Sequence, residues 1–298
     1  MHRNNHTLNE DASSRRIGLA FFLNLGFTII EFVGGLLTNS TAIMADAVHD
    51  LGDSVSIGSA WLLNRWGGKT ADSSFTYGYR RLSLFGALFN GLVLLIGSVW
   101  VLSKAIPRLA NPEMPVTEGM MALAVFGVGV NGYAAYRLSH GTSLNERVLN
   151  WHLLEDVLGW LAVLIVALVL HFVELPILDP LLSIGFTLFI LSNVIKNLWV
   201  TAKLFFQGVP DKEMWDEINK VLLEVPGVSD VHHLHLWSLD GEHHVLTVHI
   251  VLDGNSIDIA RHQKLKGEMA DKLEKYQLQH TTIEFELSEE LCRDQIDK

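Results

Sequence analysis

Residues 41–63, TAIMADAVHDLGDSVSIGSAWLL, combine an apolar stretch of membrane-spanning length with three aspartates, and this combination is the strongest indication of the fold. A helix needs about 20 mainly apolar residues to cross roughly 30 Å of hydrocarbon. Each charge at the centre of such a helix costs about 2.5–3.5 kcal/mol, so Asp46, Asp50 and Asp53 require a compensating partner. In a helix, these three side chains and His49 project within one sector of about 100°. The stretch therefore predicts a membrane helix with one polar face.

A second stretch repeats this arrangement. Residues 148–171, VLNWHLLEDVLGWLAVLIVALVLH, are apolar apart from His152, Glu155 and Asp156 near their start and His171 at their end. The first three again fall within a sector of about 100° on a helix. The same polar pattern therefore occurs in two of the membrane stretches.

The two polar faces share one spacing, HxxxD, in His49 with Asp53 and in His152 with Asp156. Residues at i and i+4 lie on adjacent turns, with Cβ atoms about 5–6 Å apart. Two such helices facing each other offer two nitrogens and two oxygens, a tetrahedral donor set that suits zinc. The alternative is a pair of His–Asp hydrogen bonds that only hold the bundle together, but apolar packing would do that without desolvating charge. The pattern therefore favours a transmembrane metal site.

Other polar residues in the membrane windows have less specific interpretations. Asp46 and Asp50 form another i, i+4 pair, which helix geometry alone leaves open as ligands or as groups along the ion pathway. Interhelical hydrogen bonding is the commoner role for isolated polar residues in membranes, and an ion pathway is the rarer one. This applies to Asn24, Glu31, Asn90, Asn131 and Asp179.

Outward from the two HxxxD stretches, four more windows are apolar enough to cross a membrane, which predicts a six-helix bundle. The six predicted spans are residues 17–37, 41–63, 82–101, 120–135, 148–171 and 180–200. Basic residues near helix ends are retained on the cytoplasmic side, and with both termini inside only Lys104 and Arg108 face outward. The basic residues then facing the cytoplasm are Arg3, Arg15, Arg16, Arg65, Lys69, Arg80, Arg81, Arg137, Arg147 and Lys203. We therefore predict an integral, multi-pass membrane protein with cytoplasmic N- and C-termini.

Beyond Gln207 short amphipathic elements alternate with turns, and no window is long enough to span a membrane. Helical periodicity and strand alternation predict helix, strand, strand, helix and strand at residues 211–223, 231–237, 244–251, 257–276 and 281–286. The order αββαβ suits a small α+β domain of ferredoxin-like or metallochaperone-like type. The predicted organisation is a cytoplasmic N-terminal tail (1–16), a six-helix transmembrane domain (17–207) and a cytoplasmic C-terminal domain (208–298).

The charge of the chain is concentrated in this last domain. The formal net charge is −11; residues 208–298 hold 19 acidic and 9 basic residues, whereas residues 1–207 hold 14 and 13. Nothing resembles the basic stripe that phosphate contacts require, which argues against nucleic acid as a partner. The single cysteine, Cys292, excludes a disulfide framework and any CxxC site. Eight of the 14 histidines also lie in residues 208–298, so the acidic domain is a candidate for binding divalent metal.

Three segments together resemble the cation diffusion facilitator family of zinc transporters. They are EFVGGLLTNSTAIMADAVHDLGD (31–53), YGYRRLSLFGALFN (77–90) and HLLED (152–156), and the resemblance covers nearly the whole chain. It implies a homodimer in the lipid bilayer that exports divalent metal from the cytoplasm in exchange for protons. Manganese-preferring members resemble DxxxD at both motifs, so the HxxxD pair implies zinc, with cadmium as a close mimic. The transport site that the resemblance implies consists of His49, Asp53, His152 and Asp156.

The resemblance also implies regulatory or structural zinc in the C-terminal domain. The positions that match the family's cytoplasmic ligands are His232, His249, His262, Glu284 and Glu286. Glutamate at both positions of the last strand departs from the family pattern, and His280 is a substitute ligand. Strand alternation places His232 on the face of Leu234 and Leu236, opposite His233 and His235. His243 and His244, in or next to a turn, are predicted to be exposed.

Other classes of function differ in what the metal site would do. A zinc-responsive membrane sensor or a channel of the same fold would use the tail to gate the bundle. An intramembrane hydrolase is disfavoured, because the chain lacks HExxH and four protein ligands leave no open position for substrate. The sequence therefore predicts a transporter and not an enzyme. The short loops and tails are typical of the bacterial inner membrane.

Overall fold

The computed structural model describes residues 3–66, 71–139, 144–254, 256 and 258–294. Within its helices, the side chains of residues 3–17, 63–66, 137–138 and 144–149 lie outside the described set. The chain forms two compact units. We call Met1–Arg65 with Gly86–Leu198 the helical unit, and Trp66–Phe85 with Trp199–Lys298 the tail unit.

Six long helices follow one another along the chain, one at each predicted span. They are α1 (Arg3–Thr38), α2 (Thr41–Trp66), α3 (Leu82–Ala110), α4 (Thr117–Leu138), α5 (Leu144–Phe172) and α6 (Leu178–Phe205). Five of them are long and apolar enough to cross a membrane, and α2, which carries the three aspartates, falls short on composition. Helix α1 begins well before residue 17, inside the segment predicted as an N-terminal tail.

Among the basic residues used to predict orientation, Lys69 lies outside the described residues, as do the side chains of Arg3, Arg15, Arg16, Arg65, Arg137 and Arg147. The orientation therefore stays a prediction.

Small residues allow the helices of the helical unit to approach closely. A Cβ atom at Gly127 of α4 would lie 2.3 Å from the ring of Trp160 on α5, and Trp160 itself is 1% exposed. Large apolar side chains on the outer surface are instead open, as for Phe22 (61% exposed) and Ile96 (69%). This distribution suits helices whose surroundings are lipid.

The start of α2 is fixed by a carboxylate from another helix. Asp179 of α6 is 1% exposed and accepts hydrogen bonds from the Ser40 hydroxyl (2.5 Å), the Thr41 N–H and hydroxyl (both 2.7 Å) and the Ala42 N–H (3.2 Å). The first N–H groups of a helix have no partner within it, and the helix dipole favours an anion there. Asp179 therefore caps α2 and ties it to α6, which confirms the interhelical role predicted for this residue.

The tail unit contains the predicted αββαβ order. Its elements are α7 (Lys212–Leu223), β1 (Val228–Ser238), β2 (His244–Leu252), α8 (Ile259–Leu273), a short 3-10 helix (Glu274–Tyr276) and β3 (Leu278–Leu287). Residue 257, where the second helix was predicted to begin, lies outside the described residues. The sheet order is β1-β2-β3, with β1 antiparallel and β3 parallel to β2.

The helices of the tail unit cover one face of this sheet. Ile218 and Leu222 of α7 and Leu265 and Met269 of α8 join the β2 core residues, of which Ile250 is fully buried. Because successive strand residues point to opposite faces, His249 lies on the other face of β2. That face carries the histidines discussed below.

A bulge in β1 corrects the predicted faces of its histidines. His232 pairs with His249 and His235 with Thr247, so two residues of β1 oppose one residue of β2 between these pairs. His233, inside the bulge, has a φ of 48°, in the left-handed region that is uncommon outside glycine. His232 and His235 therefore share a face, and the simple alternation that separated them was wrong.

Candidate metal centres

Helices α2 and α5 bring the four HxxxD side chains together. Asp53 Oδ2 lies 3.1 Å from His152 Nε2 and 3.8 Å from His49 Nε2. Asp156 lies 3.9 Å from His49 Nε2 through Oδ1 and 4.0 Å from His152 Nε2 through Oδ2. Ligands about 2.0–2.2 Å from a tetrahedral zinc ion are themselves roughly 3.3–3.6 Å apart, close to these His–Asp distances. Donor atoms of His49, His152 and Asp156 all lie within 4.8 Å of one another, and Asp53 groups in the same way with His49 and Asp50.

The site is partly open to its surroundings. The side chains of Asp156 and His49 are 12% and 18% exposed, and that of His152 is 34% exposed. The ring of His49 meets Phe186 of α6 edge to face, with centroids 5.9 Å apart. Such packing limits how the imidazole turns while leaving its Nε2 directed at the two carboxylates.

Buried carboxylates lie beside these four residues. Asp46 and Asp50 are 5% and 6% exposed, and Asp50 also lies close enough to His49 and Asp53 to share an ion with them. Glu31 of α1 is 1% exposed, and Asp50 is its side-chain hydrogen-bond neighbour. The structure therefore keeps Asp50 open as a ligand and places a further buried carboxyl group beside it.

The other polar residues of the bundle differ in outcome. Asn24 donates to the Ser54 hydroxyl (3.0 Å) and Asn90 to the Ser56 hydroxyl (2.8 Å), both across helices. These bonds confirm the interhelical role for both asparagines. The Nδ2 of Asn131 is buried with no hydrogen-bond partner in the described residues.

A second cluster lies on the open face of the tail sheet. Glu286 Oε1 lies 2.7 Å from His249 Nδ1, and Glu286 Oε2 lies 3.1 Å from His232 Nε2. Burial alone would raise the pKa of Glu286, but hydrogen bonds with Cys292 and His249 outweigh burial and lower that pKa below its ordinary value. The carboxylate form, which binds metal, is therefore favoured.

The remaining tail residues implied by the family resemblance lie at the margin of this cluster or outside it. Glu284 Oε2 lies 3.8 Å from His249 Nε2 and accepts a 2.8 Å hydrogen bond from Arg293. The ring of His262 packs against Phe285, with centroids 5.2 Å apart, and His280 packs against Tyr77. Three predicted ligands, His232, His249 and Glu286, are thus brought together.

Sequence reasoning missed a fourth member of the cluster. Cys292 Sγ lies 3.4 Å from His249 Nδ1, and donor atoms of His232, His249, Glu286 and Cys292 all lie within 4.8 Å of one another. A lone cysteine six residues after Glu286 has no motif spacing that links it to strands β1 and β2. Only the return of the chain after β3 reveals the contact.

The turn between β1 and β2 also differs from its prediction. His244 is 6% exposed, and burial lowers its pKa, so the prediction of an exposed side chain was wrong. His243 is held by Asp240, whose Oδ2 lies 2.8 Å from His243 Nδ1, and by Arg80, whose Nη1 lies 2.9 Å from His243 Nε2. Hydrogen bonds from His243 and Glu242 lower the pKa of Asp240, although its burial alone would raise it.

Six long helices, a cluster of His and Asp side chains between α2 and α5, and an αββαβ tail together are the features of a class of membrane cation transporters. Two family models match this chain: the cation efflux transmembrane domain over residues 17–205 and the cytoplasmic domain of cation efflux proteins over residues 210–288. The chain belongs to the cation diffusion facilitator family.

Several characterised proteins align with the chain over most of its length. The cadmium, cobalt and zinc/H(+)-K(+) antiporter of Bacillus subtilis is 30% identical, with 94% of this chain and 91% of the relative aligned. Zinc transporter ZitB of Shigella flexneri is 33% identical over 96% and 92% of the two chains. Metal cation efflux system protein CzcD of Cupriavidus metallidurans is 32% identical over 93% and 87%.

Proposed function

We propose that this protein exports zinc from the cytoplasm in exchange for protons, with cadmium as a second substrate. The observation that carries the proposal is the convergence of His49, Asp53, His152 and Asp156 between α2 and α5, with contacts of 3.1–4.0 Å. Two nitrogens and two oxygens suit zinc, and the named relatives transport zinc, cadmium or cobalt. The transported ion is the substrate of this site.

Proton exchange follows from the same donor set. An imidazole binds metal only in its unprotonated form, so protons and metal compete for the two histidines. Alternating access, in which helices open the site to one side at a time, then couples the two fluxes. The name of the Bacillus subtilis relative supports exchange with protons.

The test is zinc flux into proteoliposomes with and without an imposed pH gradient. We expect the gradient to drive zinc accumulation and Asp156→Ala to abolish it. Glu155→Gln is the matched control, because Glu155 precedes Asp156 on α5 and is exposed outside the ligand cluster. Zinc flux that is the same with and without the pH gradient would contradict the exchange mechanism. Unchanged flux in Asp156→Ala would contradict the proposed site.

The second part of the proposal concerns the tail, where zinc on His232, His249 and Glu286 regulates export. Glu284, whose Oε2 lies 3.8 Å from His249 Nε2, is a further donor, and His262 is kept as the ligand that the family resemblance implies in the homodimer. Support comes from the short contacts of Glu286 with both histidines and from the match to the cytoplasmic domain of cation efflux proteins. We also infer that both termini face the cytoplasm and that the protein lies in a bacterial inner membrane, in line with its bacterial relatives.

A metal sensor or channel of the same fold is the other candidate, favoured by the metal-ligand cluster in a separate compact unit. A channel only dissipates a zinc gradient, whereas an exchanger builds one from a proton gradient. Accumulation of zinc against its own gradient in the flux experiment above therefore separates the two.

A further inference from the structure

The segment that follows β3 folds back over the ligands of the tail cluster. Cys292 Sγ lies 3.4 Å from His249 Nδ1, and Asp294 Oδ2 lies 3.5 Å from His249 Nε2. Between them, Arg293 donates to Glu284 Oε2 at 2.8 Å. Three successive residues thus contact β2 and β3 on the face that carries the metal-ligand candidates.

The strand residues alone leave a metal ion incompletely enclosed. Among the strand residues, the donor atoms of His232, His249 and Glu286 lie within 4.8 Å of one another, whereas Glu284 accepts a hydrogen bond from Arg293 at the margin. Structural zinc sites are closed by four donors. Cys292 is the fourth residue whose donor atom lies within 4.8 Å of all the others. His249 and Glu286 are 8% and 4% exposed, so an ion at this place lies in a largely enclosed setting.

Hydrogen bonding by itself gives little reason for a thiol here. The S–H group is a weak donor and sulfur a weak acceptor, so a cysteine adds little to a His–Glu network. A thiolate is instead a strong ligand for zinc and cadmium, the soft end of the divalent metals that the family carries. A thiol at position 292 is therefore better explained by metal binding than by hydrogen bonding or packing.

We propose that Cys292 binds metal as a thiolate and completes a His2GluCys site for a soft divalent cation such as Zn²⁺ or Cd²⁺. This inference rests on the tail site of the proposed function. It makes residues 292–294 part of the site, so that bound metal holds this short segment on the sheet. The site then discriminates against hard cations such as Mg²⁺ and Mn²⁺.

Cobalt binding to the full-length protein in lipid nanodiscs tests the proposal. Sulfur bound to Co²⁺ gives a thiolate-to-metal charge-transfer band in the near ultraviolet, which nitrogen and oxygen ligands do not give. Because Cys292 is the single cysteine of the chain, such a band has one source. We expect the band in the natural sequence and its loss in Cys292→Ser, with tail affinity for Co²⁺ weakened at least roughly tenfold, the lower end of the cost of disturbing a metal ligand's surroundings.

Two further variants make every outcome informative. Asp294→Asn is the matched control, because it changes the same segment and should keep the band; thermal unfolding of the metal-free Cys292→Ser protein checks its fold. If no band forms while His249→Ala lowers the amount of Co²⁺ bound, the tail site stands and the thiolate ligand is refuted. If no band forms and His249→Ala leaves bound Co²⁺ unchanged, the tail site of the proposed function fails as well.

Discussion

In the proposed transport site, His49 and His152 supply the two nitrogen donors, and the proposal makes their imidazoles the groups that set its preference among metals. Nitrogen favours zinc over harder cations, whereas carboxylate oxygen favours magnesium, calcium and manganese. A change of one donor atom at this site therefore changes which ion is moved, even when the helices stay in place.

The first prediction concerns His49→Asp, which changes the donor set to one nitrogen and three oxygens. We expect the ratio of zinc to manganese flux to fall about tenfold, equivalent to about 1.4 kcal/mol of selectivity. Competitive uptake of the two metals into proteoliposomes measures this ratio. His171→Asp is the control, because His171 lies at the far end of α5 next to Thr117 and outside the cluster. An equal change in both variants would contradict a role specific to His49.

A second prediction at the residue scale concerns His244 and pH. Burial lowers its pKa below the ordinary 6.5, so the unfolded chain binds this proton more readily than the folded one. Stability is then greatest above pH 6.5 and is lost as the pH falls toward the folded pKa. We expect calorimetry at several pH values to show that His244→Gln weakens this loss of stability. The exposed His235→Gln variant should keep the dependence of stability on pH that the natural protein has. If stability depended on pH in the same way in all three proteins, His244 would not be the group responsible.

At the scale of elements, α2 is the helix that most needs support from its neighbours. It carries three aspartates and falls short of the apolar composition of the other five membrane helices. Asp179 secures its first turn through four hydrogen bonds, and Arg108 of α3 binds the backbone carbonyl of Asn39 just before it at 2.7 Å. The ligand-bearing helix is thus anchored at one end, and the site lies along its length.

Asp179→Asn tests this anchor. An amide keeps the shape but loses the charge, and its NH2 group faces donors, so we expect a loss of about 2–4 kcal/mol in stability. The measurement is thermal unfolding of the purified protein, with zinc flux recorded alongside. Ser183→Ala, which removes a single hydrogen bond to the Thr41 carbonyl, should cost about 1 kcal/mol. Equal effects of the two variants would argue against the carboxylate as a cap.

The sequence could predict elements with strong periodicity and could not predict contacts between distant segments. The two side chains of each HxxxD pair were correctly predicted to share one face of their helix, because i, i+4 spacing determines which side chains share a face. The bulge at His233 was missed, since one inserted residue reverses the faces that follow and leaves no mark in the alternation. Cys292 was missed because its neighbours include His249 of β2, which is distant from it in the sequence.

At the scale of the whole molecule, each of the two compact units carries candidate metal ligands among its described residues. An ion that binds the folded state and not the unfolded state stabilises the protein. The gain is about 2.7 kcal/mol at an ion concentration one hundred times the dissociation constant. We therefore expect zinc to raise the midpoint temperatures of two unfolding transitions in calorimetry of the full chain. Chelation of the zinc should reverse both shifts. Asp156→Ala should remove the zinc effect on one transition and His249→Ala that on the other. Loss of the same transition in both variants would contradict two separate sites.

The segment Trp66–Phe85 has a consequence for exchanging parts between relatives. It joins α2 to α3, yet it belongs to the tail unit, where Arg80 contacts Asp240 and His243 and Tyr77 packs on His280. The polypeptide therefore passes between the two units three times instead of once. A chimera that takes only residues 208–298 from a relative would separate Arg80 from its partners. The natural unit of modular exchange is the C-terminal domain together with the α2–α3 connection.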